Sequence, residues 1–294
     1  MTAFDTMTAR EVTAGLRFPE GPAAVGDGSV VVPEIEGGTV SRVWPDGRRE
    51  VVADCGGGPN GLAFGPDGAL YVCNSGGFAF MTEDGIRFPF AGAEGNEGGS
   101  VQRVDLATGA VDVVLTETDG ERIGGLNDIV FDTTGSAYLV DTTRGCLLYA
   151  DPLAGRARVA AGGLELPNGA GLSPDGSRLY VSETYSGRLL AYDVTAPGVL
   201  DGPHELYVSD GGHGWDGLAV DGAGNVCVAN LKRSGISVIS PEGRVLDAFV
   251  TPLYDSYVTN VAFDGDTAYV ASGGRGVLYA VDWPWPGLRL NFQP

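Results

Sequence analysis

The sequence predicts an all-β chain folded as a six-bladed β-propeller, with four-stranded antiparallel blades around a central channel. Three observations predict it. A polar residue followed by a small or apolar run and a turn recurs six times along the 294 residues. The recurrences fall near the ~40–50-residue period of propeller blades. Glycine occurs 48 times and proline 17 times, which suits many short strands and tight turns, because Gly inside a helix costs roughly 1 kcal/mol against Ala. No 3.6-residue periodicity of the kind a helical solenoid requires is visible.

The units follow in order. Glu20-Gly-Pro-Ala-Ala-Val runs to the turn Gly26-Asp27-Gly28 and the strand Val30-Val31-Val32. Asn60-Gly-Leu-Ala-Phe runs to Pro66-Asp67-Gly68 and Leu70-Tyr71-Val72. Asn127-Asp-Ile-Val-Phe leads to Thr133-Thr134-Gly135 and Ala137-Tyr138-Leu139-Val140. Asn168-Gly-Ala-Gly-Leu leads to Pro174-Asp175-Gly176 and Leu179-Tyr180-Val181. Asp216-Gly-Leu-Ala-Val leads to Asp221-Gly222 and Val226-Cys227-Val228, and Asn260-Val-Ala-Phe to Asp264-Gly265 and Ala268-Tyr269-Val270. Third strands are legible at Val101–Val104, Leu147–Tyr149 and Leu189–Tyr192, and a fourth at Ala110–Val114. Tyr71, Tyr138, Tyr180 and Tyr269 share one repeat position and are expected to pack between blades.

The whole chain, 1–294, is expected to form one propeller domain. The second unit is long because residues 76–98, with Phe78, Phe80, Met81, Phe88 and Phe90 among glycines and acids, do not fit the repeat. A long insertion in a compact domain is commonly functional, and its aromatics predict a lid over one face. The ends, Thr8–Leu16 and Trp283–Pro294, lie outside the units. The first, around Val12, is expected to supply the outer strand of the last blade and close the ring, which removes open sheet edges.

The formal net charge of −20 argues against nucleic acid and anionic membrane surfaces as partners. A small-molecule substrate and a monomer or weak homo-oligomer are expected. Cys55, Cys73, Cys146 and Cys227 form no CxxC pair and read as buried thiols. The N-terminus shows no basic-then-apolar leader, and no run approaches the ~18 apolar residues of a membrane span. Cytoplasmic localisation is the resulting expectation.

In a propeller the first strand of each blade lines the channel, so the residues that open the six first strands meet near the axis. They are Glu20, Asn60, Asn127, Asn168, Asp216 and Asn260, all oxygen-bearing and two of them charged. A lone Asn or Asp at such a place is commonly a turn cap. Six in register are not explained that way, and Glu is no favoured turn residue. Converging carboxylates repel unless a cation lies between them. An all-oxygen set selects a hard divalent cation, Ca²⁺ first, then Mg²⁺ or Mn²⁺, with Zn²⁺ still possible.

These residues carry a resemblance. Phe18-Pro-Glu20-Gly-Pro22, Leu126-Asn127-Asp-Ile-Val-Phe-Asp132, Leu166-Pro-Asn168-Gly, Ser173-Pro-Asp-Gly176 and Asp216-Gly-Leu-Ala-Val-Asp221, in this order, make the chain similar to the SMP-30/gluconolactonase/luciferin-regenerating-enzyme-like propellers over nearly its full length. The resemblance implies a divalent-metal hydrolase, typically a lactonase, although some relatives hydrolyse organophosphates. It maps metal ligands onto Glu20, Asn127, Asn168 and Asp216, with Asn127 alternatively touching substrate. It points to Arg122 for substrate binding, at a spacing that departs from the family's. Trp215-Asp216 departs from the family's Pro-Asp, so His213-Gly-Trp215 is expected to reshape the pocket wall.

Asp216 is the expected base as well as a ligand. Asn60, Arg122, His213 and Asn260 are expected to touch substrate or the ligands. His204 is expected in an inter-blade loop, and Glu183, Tyr185 and Arg188 at the surface. There is no Gly-x-Ser-x-Gly elbow and no phosphate loop. Two alternatives stand beside lactone hydrolysis: phosphotriester or another metal-dependent reaction on this scaffold, and a non-catalytic propeller that binds a peptide or protein.

Overall fold

A computed structural model describes residues 9–210 and 214–294. Every regular element among them is a strand, and six antiparallel four-stranded sheets form the blades of the predicted propeller. Blade 1 contains Ala23–Ala24, Val30–Glu34, Thr39–Val43 and Arg49–Asp54. Blade 2 contains Pro59–Phe64, Leu70–Asn74, Ser100–Val104 and Val111–Leu115. Blade 3 is Leu126–Phe131, Ala137–Asp141, Cys146–Asp151 and Arg156–Gly162. Blade 4 is Pro167–Leu172, Arg178–Glu183, Arg188–Ala196 and Val199–Val208. Blade 5 is Trp215–Val220, Val226–Asn230, Gly235–Ile239 and Val245–Val250. Blade 6 takes Val258–Asp264, Thr267–Ser272 and Val277–Asp282 from the end of the chain and Arg10–Ala14 from its beginning. Glu11 pairs with Tyr279 and Ala14 with Val277, so the ring is closed by the early strand, as the sequence predicts.

The hydrophobic core is divided among the blade interfaces. Tyr71 packs with Phe131 between blades 2 and 3, Tyr138 between blades 3 and 4, and Tyr180 between blades 4 and 5. Tyr269 packs between blades 6 and 1. Their rings are 0–5% exposed. Val31 and Cys227 stand at the same strand position in blades 1 and 5, and both are buried. All four cysteines are free and buried. No helix among the described residues is long and apolar enough to cross a membrane.

A second set of polar residues fastens the top face. The residue ending each second strand is Glu34, Asn74, Asp141, Glu183, Asn230 or Ser272, and each is buried. Glu34 accepts the Arg17 amide, Asn74 those of Gly58 and Gly76, and Asp141 those of Gly124 and Arg144. Glu183 accepts the Glu165 amide and pairs with Arg188 at 2.7 Å. In blade 6, Ser272 donates to Asp255. Loop amides that would be orphaned at a buried top surface are thereby satisfied. The surface expectation is therefore wrong for Glu183, which is 0% exposed and bound from two sides, while the Arg188 side chain that pairs with it stays 32% exposed. Tyr185, at 71% exposure, is the surface residue of that trio. His204 lies within the outer strand of blade 4 rather than in a loop, exposed and 3.7 Å from Asp193.

The insertion at 76–98 is an ordered hairpin, Phe78–Glu83 paired with Ile86–Gly92. It leaves blade 2 and reaches blades 1 and 6. Arg87 pairs with Glu36, its amide donates to Gly274 O at 2.8 Å, and Arg275 donates to Gly85 O at 3.0 Å. Phe88 stacks on Tyr257 at 5.9 Å between ring centroids, and Phe80 lies 5.0 Å from Phe18.

At the opposite end of the channel, residues 284–294 cross beneath the blades. The Gly222 amide donates to Pro286 O, the Gly287 amide to Gly265 O and the Asn291 side chain to Phe131 O. Phe292 packs among the inner residues of blades 1 to 3.

Candidate metal centre and cavity

Each first strand carries the same irregularity. In blade 2, Pro59 faces Asn74 and Leu62 faces Val72, so Asn60 and Gly61 together oppose Cys73. Blades 3, 4 and 5 shift register between Leu126 and Ile129, Pro167 and Ala170, and Trp215 and Leu218. Such a bulge inserts one residue and re-aims its side chain. Here it turns the first bulged residue toward the top of the channel and the second toward the axis below.

The bulge corrects one expectation. In blade 6, Val258 faces Ser272 and Val261 faces Val270, so the bulged pair is Thr259 and Asn260. Thr259, not Asn260, occupies the position of Asn60, and its hydroxyl donates to Pro19 O at 2.8 Å. The top ring is thus Glu20, Asn60, Asn127, Asn168, Asp216 and Thr259, the last bonded to the first strand of the neighbouring blade. Asn260 lies one layer deeper, where its amide donates to Glu20 Oε2 at 3.2 Å.

That deeper layer consists of Gly21, Gly61, Asp128, Gly169, Gly217 and Asn260. Four are glycines because the other two fill the axis. A Cβ on Gly61 would lie 2.6 Å from Asp128 Oδ1, and one on Gly217 only 2.2 Å from the Asn260 amide. Gly217→Ala is expected to destabilise the fold by about 3 kcal/mol through this overpacking. Gly92→Ala, which meets nothing within 4 Å, should stay within ~0.5 kcal/mol. Denaturant midpoints of the two variants check the difference. Asp128, which the repeat reading passed over, accepts the amides of Ile129 at 2.9 Å and Ala170 at 2.9 Å. The signal for it was in the sequence: it is the one acid where four of the other five units place Gly.

Three carboxyl groups therefore share one buried region. Burial pushes the Asp216 carboxyl up to about 8, and the neighbouring Asp128 charge adds to the rise; bonds from Asn168 and the Gly217 amide oppose it. Burial raises Glu20 well above the usual carboxylate range, and the charge of Asp216 adds to it. Asp128 is pushed up to about 7 by burial. Above this cluster, the side-chain oxygens of Asn60, Asn127 and Asn168 are buried with no hydrogen-bond donor. A buried acceptor without a partner costs ~1–3 kcal/mol. Three such oxygens beside two repelling carboxylates fit one group well: a hard divalent cation, which takes oxygen ligands and compensates the charge. Among the described residues no trio of His, Cys, Asp or Glu is arranged to hold a metal, so amide oxygens must complete any such site.

Glu20, Asn60, Asn127, Asn168 and Asp216 all open into a cavity of about 850 Å³ on the top face. Its upper wall is made by Phe18, Ile35, Tyr257 and the hairpin residues Phe78, Pro89 and Phe90. Asn260 faces away from it, into a small chamber of about 70 Å³ that also holds Asp128 and is covered by Leu288 and Leu290. Arg122 is not brought to the cavity; it is exposed and donates to Glu97 O at 2.9 Å. His213 lies outside the described residues. Trp215 turns its ring away into the blade 4–5 core and donates to Gly187 O at 2.7 Å, so the wall near Asp216 is formed by Leu231 and Tyr257 instead.

Residues 18–274 match the model of the SMP-30/Gluconolactonase/LRE-like region. A gluconolactonase of Zymomonas mobilis is 26% identical over 280 residues, covering 82% of this chain and 72% of that protein. Among solved structures, a gluconolactonase from Xanthomonas campestris superposes with a TM-score of 0.78 at 20% identity, covering 96% of this chain and 91% of that one. The calcium-binding protein regucalcin from Agrobacterium tumefaciens superposes with a TM-score of 0.72 at 18% identity, covering 97% and 98%.

Proposed function

The chain belongs to the SMP-30/gluconolactonase/LRE-like family, and from that premise we propose that it is a lactonase working at the top-face cavity with one divalent cation, Ca²⁺ in first place. The observation that carries the reading is the set of three donorless amide oxygens, on Asn60, Asn127 and Asn168, gathered over the buried carboxyls of Glu20 and Asp216. Glu20, Asn127, Asn168 and Asp216 would hold the cation, with Asn60 beside them. The regucalcin relative, calcium-binding by its name, supports the choice of metal, and the gluconolactonase relatives support the reaction.

A divalent cation, when bound, supplies Lewis acidity toward a carbonyl and the positive charge that keeps both carboxylates ionised. The chain's own groups do the rest. Asp216 takes a proton from the water that attacks the lactone carbonyl carbon. As the ring C–O bond breaks, the same carboxyl returns that proton to the leaving alkoxide, giving the open hydroxy acid. The Asn260 amide holds Glu20 by its Oε2, so Glu20 stays a fixed charge and Asp216 is the group left to carry the proton. The aromatic upper wall keeps bulk water from the reacting carbonyl.

The test is a pH-indicator assay on a lactone and phosphotriester panel, run after chelation and after readdition of Ca²⁺, Mg²⁺, Mn²⁺ or Zn²⁺. Lactone hydrolysis lost on chelation and restored by a cation is the expected result. A phosphotriester turned over faster than every lactone would move the assignment to that substrate class. No turnover and no thermal shift with any cation would overturn the reading in favour of a binding propeller.

A further inference from the structure

The cavity wall has a chemical character that the ring of ligands does not share. Apart from Glu20 and Asp216, no Arg, Lys, His, Asp or Glu is among the described residues lining it. With the proposed dication compensating Glu20 and Asp216, an anionic or phosphorylated lactone would find no further cationic side chain among the described lining residues, on a protein of net charge −20. A polyhydroxylated sugar lactone needs donors and acceptors for each hydroxyl, because leaving buried polar groups unpaired loses affinity. Part of the wall's polar capacity is already engaged, and Thr143, Tyr185 and Tyr257 add further polar groups to it beside the ring of ligands. Ser75 donates to Gly58 O at 3.0 Å, and Thr142 donates to Pro167 O at 2.6 Å. Asn96 donates to the carbonyls of Ser75 and Gly77 and accepts the Gly98 amide.

The apolar side is open by contrast. Phe78 is 38% exposed and Phe90 59% exposed, and both line the cavity with Phe18, Ile35 and Pro89. Exposed aromatic rings gathered around one concave site are surface a ligand can remove from water, at ~25 cal/mol per Å². These rings are held in advance. The hairpin that carries Phe78 and Phe90 is fixed by Arg87 to Glu36 and by Arg275 to Gly85 O, and Phe88 stacks on Tyr257. A ligand therefore meets an ordered apolar surface and need not order a loop on binding.

We propose, on the footing of the lactonase reading above, that the substrate is an uncharged lactone bearing an alkyl or aryl substituent. Its ring carbonyl lies over Asp216 and Asn127, and its apolar substituent lies against Phe18, Phe78 and Phe90. The cavity, about 850 Å³, is of the size that takes a drug-sized ligand. Phe78 and Phe90 are then the specificity-determining side chains, and the insertion exists to present them.

The experiment uses the full chain loaded with Ca²⁺ and the γ-lactone series from γ-butyrolactone to γ-decalactone, with D-glucono-1,5-lactone as the sugar arm. The expected kcat/KM rises two- to fourfold per added methylene, up to the ~0.8 kcal/mol that one buried CH₂ contributes. γ-Decalactone should exceed the sugar lactone by at least tenfold. Phe90→Ala should lower the ratio of γ-decalactone to γ-butyrolactone kcat/KM by about tenfold, through KM, with an unchanged melting temperature. A flat chain-length series, a preference for the sugar lactone, or a Phe90→Ala enzyme with the wild-type ratio would each overturn this inference while leaving the lactonase reading standing. No hydrolysis of any lactone would overturn both.

Discussion

Asp216→Asn is expected to lower lactone turnover by about 10³-fold while making the cation-free protein more stable at pH 8. Both halves follow from the same carboxyl. A positioned general base contributes ~10²–10⁴ in rate, and Asn, of the same size, can still meet Asn168 but cannot take a proton. Asp216 is 7% exposed, and its carboxyl is raised to about 8 by burial first and by the Asp128 charge after it. Unfolded, an Asp titrates near ~3.9. The sign is fixed by those two values: the cost of ionising Asp216 in the fold is absent below pH ~4, grows between the two, and is complete above about 8. The neutral Asn removes that cost. A merely misfolded variant would lose activity and stability together, so turnover and melting temperature measured on one sample separate the cases. Wild-type turnover in Asp216→Asn would falsify the role of Asp216 as the base.

The blades were legible because their two signals are local. Asp-Gly and Pro-Asp-Gly turns mark hairpins, and an apolar run between them marks a buried second strand, so units such as Asn60 to Val72 and Asn168 to Val181 can be read without any tertiary knowledge. Closure by the early strand was legible from Val12 in an extended context once six units had been counted. The polar residues that end the second strands were harder. Glu183 and Asp141 look like ordinary strand-end acids until the linker entering the same blade brings an amide onto each, a contact between segments 17 or 18 residues apart that no local pattern marks.

The ring of ligands was legible to the accuracy of the bulge. Asn260-Val-Ala-Phe is one residue shorter than Asn60-Gly-Leu-Ala-Phe, and aligning on the apolar run Val261-Ala-Phe against Leu62-Ala-Phe would have placed Thr259 opposite Asn60. Aligning on the polar residue instead moved Asn260 up a layer, because a β-bulge places two residues opposite one and a period-two pattern has no place for it. Asp128 was hidden for the same reason: its importance lies in occupying the axis beneath Glu20 and Asp216, where four other blades have Gly. Arg122 shows the limit of transfer by motif. The Ile123-Gly-Gly-Leu126 segment between it and Asn127 lengthens the approach to blade 3, and the guanidinium bonds Glu97 O outside the cavity.

Removing divalent cations should give the protein a stability maximum on the acid side of neutrality, and adding Ca²⁺ should abolish the decline above it. Two sets of carboxyls act in opposite directions. Asp27, Asp67 and Asp175 have folded pKa values below the ordinary range, Asp175 at about 2 through the Ser173 and Ser177 hydroxyls and the Ser177 amide. Their contribution is present above the unfolded pKa near ~4 and is lost as pH falls through the folded values. Glu20, Asp128 and Asp216 have raised values, burial being the first cause in each. The folded protein then holds more protons than the unfolded chain from pH ~4 up to at least about 8, so stability falls as pH rises across that window. A bound dication displaces those protons, so its affinity should climb with pH in the same window. At a free concentration of 100 times Kd it adds ~2.7 kcal/mol, or about 4–5 °C for a chain of this size. Melting temperatures with chelator and with Ca²⁺, taken from pH 4 to 9, should therefore diverge as pH rises and converge near pH 4. Parallel curves would mean that the cation does not bind at Glu20 and Asp216, whose raised and mutually repelling carboxyls, with that of Asp128 beneath them, set this window.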